Sequence, residues 1–598
     1  MNDRTDRSTP SDAWANGYFY PFAFPLARLL LISIYRPQSI ESVVDIEPII
    51  RKYALQNALL YEGKATMGAV LGKVMAENPE LRPKAKDVST LAKRIIDEVN
   101  RLTPQDQRAA LEKSAPELLV KEVKTREVGL PDLPNVQGEV RMRMAPNPSG
   151  PLHVGHSRMA ILNDEFVKRY GGICYNRFED TDPARIDPNG YDTIPEDFDW
   201  LGVRIDKTII QSERFEIYYD VAKKLLEMGK AYVCTCKPDE WRNLKNHKMP
   251  CPHREQPLNE QLARWDKMFD GSYKLEEASL IIKTDLQHPN PAIRDFVGLR
   301  IDDTPHPRTG TKYRVYPLMN LAVAVDDHLL DLTHVLRGKD HLNNTYRQEY
   351  IFNYFGWKKP VYIHYGRVSI ADAQLSTSKM AKGIREGTYT GWDDLQLGTL
   401  RALRRRGIRP ESLRRYWVES GMKEVDIEFS WKTLYSFNRE LIDSDADRYF
   451  FVNDPLKLEI SGAKNLHGKA PKHPDHPERG FREFNVGTDP SVYVSRDDLP
   501  EGRSRLRLKD LCNIEIKDGK AHYAGNDLSV LKEGVPIAHW APASSYDAEV
   551  LMTDGTVKRG KAEPLLATAK GKVVQLERFA FVRVEEVSPS IRCVFTHR

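Results

Sequence analysis

Cysteine is scarce in this chain, six among 598 residues. Secreted domains held by disulfides are far denser in cysteine, so covalent staples do not carry this fold. An excess of one charge is also missing. Lysine and arginine number 89 against 85 aspartate and glutamate, a net +4, which permits a nucleic-acid partner without demanding one. Long apolar runs are few. The one membrane-like stretch, Tyr18–Arg36, is broken by Pro21, Pro25 and Arg28, so no membrane association is expected. Residues 1–44 read instead as a disordered extension, or as the product of a start codon placed too far upstream.

What is present describes a globular chain, 40% hydrophobic and 29% charged. Single cores rarely exceed about 250–300 residues, so several domains are expected. Ile46, Ile49, Ile50 and Tyr53 follow a helical i, i+3, i+4, i+7 pattern. Met67, Val70, Leu71 and Val74 repeat it, as do Val88, Leu91, Ile95, Val99 and Leu102, and residues 45–123 read as a helical domain. Residues 124–138, rich in proline and glycine, form a linker. From Val140 the period becomes two. A strand ending in RMRM runs into RMAPNPSGPLHVGH, then a helix stopped by Gly171–Gly172, then the strand ICYNRF. That is a βαβ unit with parallel strands. From about Tyr449 short alternating segments with frequent turns read as β-barrel or sandwich, long enough for two small barrels.

In open parallel sheets ligands gather at the carboxyl ends of strands. The turn before the helix presents backbone N–H groups and a helix dipole, which favour an anion. His153 and His156 lack the glutamate and spacing of a zinc HExxH site, and no Gly-Lys-Ser/Thr makes a phosphate loop. The second strand ends in RFEDTDP, which puts Glu179, Asp180 and Asp182 on the same sheet edge. Farther on, Leu375–Gly383 reads LSTSKMAKG.

In this order and spacing the three elements resemble class I aminoacyl-tRNA synthetases. HVGH matches their HIGH motif, the lead-in and RFEDTDP match the glutamyl/glutaminyl branch, and Ser378–Lys379 match the KMSKS lysine loop. The resemblance implies ATP binding by Pro146, His153, Gly155, His156, Ser378 and Lys379, with His153, His156 and Lys379 catalytic and Mg²⁺ accompanying the nucleotide. Arginine forks suit a desolvated carboxylate, and the resemblance gives Arg143, Asn147, Glu179, Tyr316, Asn320 and Arg337 to L-glutamate. In the segment holding Tyr316 and Asn320, Met319 stands where the branch often has a second tyrosine. A glutaminyl enzyme lacks the second arginine, so glutamate is favoured. A glutaminyl enzyme, or one that also charges tRNA-Gln with glutamate, is the alternative.

Cys234-x-Cys236 and Cys251-x-His253, fourteen residues apart, suit tetrahedral Zn²⁺ in a structural role. A similar knuckle occurs in the acceptor-binding insertion of some glutamyl enzymes. Seven arginines crowd residues 401–415; Arg401, Arg404 and Arg405, with Asp180 and Asp182, are expected to face tRNA. The fold expected is multidomain α/β. A Rossmann-like parallel-sheet catalytic core spans 139–394 with an insertion at about 225–310, followed by helical residues 395–447 and an anticodon-binding β-barrel region at 448–598, of archaeal glutamyl type. The partners implied are tRNA-Glu, glutamate and ATP, for a monomeric cytoplasmic enzyme.

Overall fold

The computed structural model describes residues 46–61, 63–119, 129–371, 373–499 and 504–598. The extension expected over residues 1–44 lies outside them, as does the first part of the linker. The chain forms two units, Met1–Arg126 and Glu127–Arg598.

The first unit is helical, with helices Ile46–Leu60, Met67–Glu77, Ala85–Val99 and Pro104–Ser114. Their apolar stripes close over Ile50, Val70, Val74, Val88, Ile95 and Leu111. The third stripe stops a turn earlier than its spacing predicts. That helix ends at Val99, and Leu102 lies beyond it, exposed. The next helix follows at once: Thr103 accepts the Asp106 N–H as its cap, and Pro104 takes the first position, where a missing N–H is harmless.

In the second unit, β1 (Val140–Met144), β2 (Gly172–Phe178) and β3 (Lys207–Ile210) form a parallel sheet in the order β1-β2-β3. After it comes an antiparallel four-stranded sheet of β4 (Ala231–Cys234), β5 (Ser279–Ile282), β6 (Phe296–Ile301) and β7 (Val315–Pro317). This sheet covers the stretch expected as an insertion and runs past its expected end, to Pro317. The chain then returns as the parallel pair β8 (His334–Gly338) and β9 (Val361–Tyr365). The Thr333 N–H donates to the Arg141 carbonyl at 3.0 Å, which lays the start of β8 alongside β1. The strands therefore run β3-β2-β1-β8-β9, and the order reverses between β1 and β8. Ligands bind at such a switch point, beyond the carboxyl ends of the strands.

The helices Leu400–Arg405, Pro410–Ser420 and Trp431–Ile442 are more than a connector. Leu400, Leu403, Leu413, Trp417 and Leu434 share one apolar core with Met142, Ile161 and Phe166. Beyond them stand two seven-stranded sheets. Their arrangement is nested instead of successive: the first sheet takes strands from 448–453 and again from 546–597, and the second is built from the chain between. A buried charge cluster ties the two together. Arg482 pairs with Glu563 and Glu577, and Glu577 also meets Lys509 and His539.

Candidate active site

The turn between β1 and the helix Val154–Tyr170 is closed from inside. His153 is the helix N-cap, and its Nδ1 accepts the Gly155 N–H at 3.0 Å. His156 Nδ1 faces the His153 N–H at 3.4 Å, and the two rings stack 3.7 Å apart. With both Nδ1 atoms accepting, each neutral ring carries its proton on Nε2. Burial keeps both rings neutral, pulling His153 well below the usual imidazole value and His156 down to about 4. The pair therefore offers two Nε2–H donors and no charge. Gly155 serves this geometry directly, since a Cβ there would lie 2.9 Å from the His153 Cε1.

The segment Gly398–Leu400 pins the turn from outside. Val154 N–H donates to the Gly398 carbonyl and Leu400 N–H to the Leu152 carbonyl, each at 2.9 Å, while Asp197 Oδ2 takes the Leu152 N–H at 2.7 Å. The end of β2 is fastened too: the Glu179 N–H donates to the Pro146 carbonyl, and Asn147 Nδ2 donates to the Glu179 carbonyl at 2.8 Å. Asn147 Oδ1 stays without a partner.

Two cavities open here. One, of about 1080 Å³, is walled by Asn147, His153, Glu179, Asp182 and Ser378. The other, of about 480 Å³, adds Arg143, Pro146, Gly155, His156 and Arg337 to three of those residues. Arg143 comes from β1 and Arg337 from β8, one on each side of the switch point. Both are buried. Arg143 donates to the Leu336 carbonyl at 3.1 Å, its Nε has no partner, and Asp327 stands 4.0 Å away. That aspartate is already engaged by Arg177 at 2.6 Å, and Arg177 also holds Glu179 at 3.0 Å. Burial, with Arg337 and Arg177 nearby, pulls the Arg143 guanidinium down to about 10. The small cavity thus has two buried cations in its wall, one with its nearest ion-pair carboxylate 4.0 Å away and the other with no ion pair among the described residues. Such a pair suits an anion.

Four expected contacts are corrected. Tyr316 is fully buried in the apolar core of the insertion and reaches neither cavity. Asn320 stands one layer back, where its amide meets Gln348 and Asn344; Met319, one residue earlier, lines both cavities. Asp180 is sealed, its carboxylate taken by Ser212 and Tyr191 and its carbonyl by His306, so it braces the loop and cannot face tRNA. Lys379 is exposed at the start of the helix Thr377–Arg385 and does not wall either cavity, whereas Ser378 does.

The arginine-rich segment also departs from its reading as a phosphate-facing row. Arg405 is bidentate to Glu585, Arg406 donates to the Phe595 and Thr596 carbonyls, and Arg414 pairs with Asp164 and Glu165. Arg401 pairs with Glu196. Only Arg404 and Arg409 of the seven are exposed without an ion pair among the described residues.

The thiols of Cys234, Cys236 and Cys251 and the His253 Nδ1 converge within 4.8 Å. Five of their six separations run from 3.3 Å for Cys234–Cys251 to 3.8 Å for Cys234–His253, too long for disulfides. Zinc bound to sulfur at ~2.3 Å gives tetrahedral edges of roughly 3.7 Å, so the residues fit that ion. His253 Nε2 meets Thr235 Oγ1 at 3.0 Å, the kind of outer contact that orients a ligating imidazole.

Known proteins similar to this chain belong to one family. A family model described as tRNA synthetases class I (E and Q), catalytic domain, matches residues 139–444, and the corresponding anti-codon binding domain matches 446–531. Glutamate–tRNA ligases from Thermoplasma volcanium and Methanocaldococcus jannaschii are 48% and 49% identical, each over 92% of this chain and 100% of the relative. One from Pyrococcus abyssi is 46% identical over 93% of this chain and 100% of its own length. A solved glutamate tRNA ligase from Elizabethkingia meningosepticum has 20% identity and a TM-score of 0.36, covering 51% of this chain and 70% of that one. Among the described residues, no helix is long and apolar enough to cross a membrane.

Proposed function

The chain belongs to the class I tRNA synthetases of the glutamate and glutamine branch, and from that premise we propose that it joins L-glutamate to tRNA-Glu in an ATP-dependent reaction. The observation that carries the choice of glutamate is the pair of buried guanidiniums, Arg143 and Arg337, in the wall of the small cavity. A side-chain carboxylate supplies a close partner for both guanidiniums, and a neutral amide would leave them without one. Glu179, held by Arg177, takes the α-ammonium, and the unpartnered Asn147 Oδ1 is a further acceptor beside it.

In the first step an α-carboxylate oxygen attacks the α-phosphorus of ATP, the bond to the β-phosphate oxygen breaks, and pyrophosphate leaves. The His153 and His156 Nε2–H groups donate to phosphate oxygens without adding charge. Ser378 and the Pro146–Gly155 turn line the nucleotide side. Mg²⁺ accompanies the triphosphate. In the second step a hydroxyl of the terminal tRNA adenosine attacks the acyl carbon and releases AMP. The larger cavity, beside Asp182, receives that end, and Arg404, without an ion pair among the described residues, lies on the path of the RNA. Zn²⁺ in the Cys234, Cys236, Cys251 and His253 set is structural, because all four ligands come from protein.

The test is ATP–pyrophosphate exchange in the presence of tRNA-Glu, with glutamate and with glutamine. Exchange with glutamate is expected. Exchange with glutamine alone overturns the proposal.

A further inference from the structure

Arg337 sits in an unusual seat for a buried cation. Its Nη1 donates to Thr345 Oγ1 at 3.1 Å and to Gln348 Oε1 at 2.9 Å, and its guanidinium lies 5.0 Å over the Tyr362 ring. All three partners are neutral. Among the described residues no carboxylate forms an ion pair with it. Thr345 and Gln348 are one turn apart on the helix Leu342–Phe355, so both project to the same side, toward β8.

The orientation of the Gln348 amide is also set. Its Nε2 donates to the Asn320 Oδ1 at 3.3 Å, which leaves Oε1 for the arginine. Asn320 is held in turn, its Nδ2 donating to Asn344 Oδ1 at 3.3 Å. Each link is an amide or a hydroxyl. The chain Asn344, Asn320, Gln348, Arg337 fixes a guanidinium in space while leaving its charge unmatched.

We propose that Thr345 and Gln348 are specificity-determining residues: by positioning Arg337 with neutral acceptors only, they reserve its charge for the side-chain carboxylate of the substrate. A buried cation with a carboxylate already at 2.9 Å has little to gain from a second one, and the second would meet like-charge repulsion. A glutamate at position 348 would be nearly the same size as the glutamine and would occupy that distance. It would convert the seat from one that selects an anion to one that tolerates a neutral amide. The charged groups that line the same space are Arg143 across the cavity, Glu179 after the end of β2, Asp340 on the turn after β8, and Arg367 after β9. None of the four is altered by the substitution.

The inference rests on glutamate being the substrate, and the experiment separates the two. The full-length wild-type enzyme is assayed first by ATP–pyrophosphate exchange with glutamate and glutamine, tRNA-Glu present. Failure of the wild type with glutamate sinks the proposed function. The same assay is then run on Gln348→Glu, Gln348→Leu and Thr345→Asp. In Gln348→Glu the glutamate KM is expected to rise about tenfold or more, the ratio of glutamine to glutamate use to rise by at least that factor, and the ATP KM to stay within about twofold. Thr345→Asp brings the carboxylate from the other side of the seat and tests the idea independently if the first variant folds poorly. Gln348→Leu loses an acceptor without adding charge, so its preference for glutamate should persist. The proposal is overturned if both acidic variants keep the wild-type glutamate KM, or if Gln348→Leu loses selectivity as fully as they do.

Discussion

Replacing Gly155 with alanine separates what the histidine turn does for folding from what it is proposed to do for chemistry. The residue is the second of the helix Val154–Tyr170, and an alanine inside a helix is favoured over glycine by about 1 kcal/mol. Stability alone therefore predicts a neutral or slightly improved protein. The added Cβ, however, would lie 2.9 Å from His153 Cε1 and 3.1 Å from its Nδ1. The ring cannot retreat toward His156, which already stacks on it at 3.7 Å. It must swing away, losing the bond that holds its proton on Nε2. Loss of one aimed donor to a developing charge costs about 3–4 kcal/mol, on the order of a hundredfold to a thousandfold in rate. Pyrophosphate exchange and a thermal melt on the same preparation give both numbers. The reasoning is refuted if exchange stays within about threefold of wild type while the melt is unchanged.

The remaining expectations concern other parts of the molecule. Metal analysis should find one zinc per chain, and chelation or Cys251→Ser should lower the melting temperature; a metal-free protein with an unchanged melt contradicts the site. Arg406→Met leaves two buried carbonyls without a donor and should cost about 2–4 kcal/mol of stability, whereas Arg404→Ala should leave the melt alone and raise the KM for tRNA in a salt-dependent way. His156 makes a pH prediction. Its folded value, about 4, lies below the unfolded 6.5, so its contribution is complete above pH 6.5 and is lost as pH falls toward 4. At most about 3 kcal/mol is at stake. His156→Asn should flatten the drop in melting temperature over that window, and an unflattened drop would show that other groups cause it.

Local patterns proved legible and distant pairings did not. The helices of the first unit declare themselves through spacing alone, because each stripe needs only its own residues, and the strands β1 and β2 with the turn between them were readable for the same reason. The convergence of Cys234, Cys236, Cys251 and His253 was readable as well, since two short-spaced ligand pairs in one polar insertion point to a shared centre. The arginines of 401–415 misled, because a run of like charge looks like a solvated face when the partners are far off in sequence. Glu585 and the Thr596 carbonyl lie 180 and 190 residues away from Arg405 and Arg406. Asn320 misled by a single position: Met319 and Asn320 begin the same helix, and only the packing decides which one reaches the cavity. Asp180 and Asp182 differ similarly. Both follow the end of β2, yet one is fully buried and the other lines the larger cavity.

The helix Leu400–Arg405 begins beside the histidine turn and ends in the strand Ile591–His597, through Arg406 and the Thr596 carbonyl. This gives the molecule an order of assembly. A ribosome adding roughly 5–20 residues per second reaches Thr596 about 10–40 s after Arg406. Until then the buried Arg406 guanidinium, at the far end of the helix that follows the turn's partner segment, lacks both carbonyls of that strand. A nascent chain thus has the sheet behind the histidine turn in hand while this helix still lacks its far anchor. Completion of the strand Ile591–His597 is what fastens it.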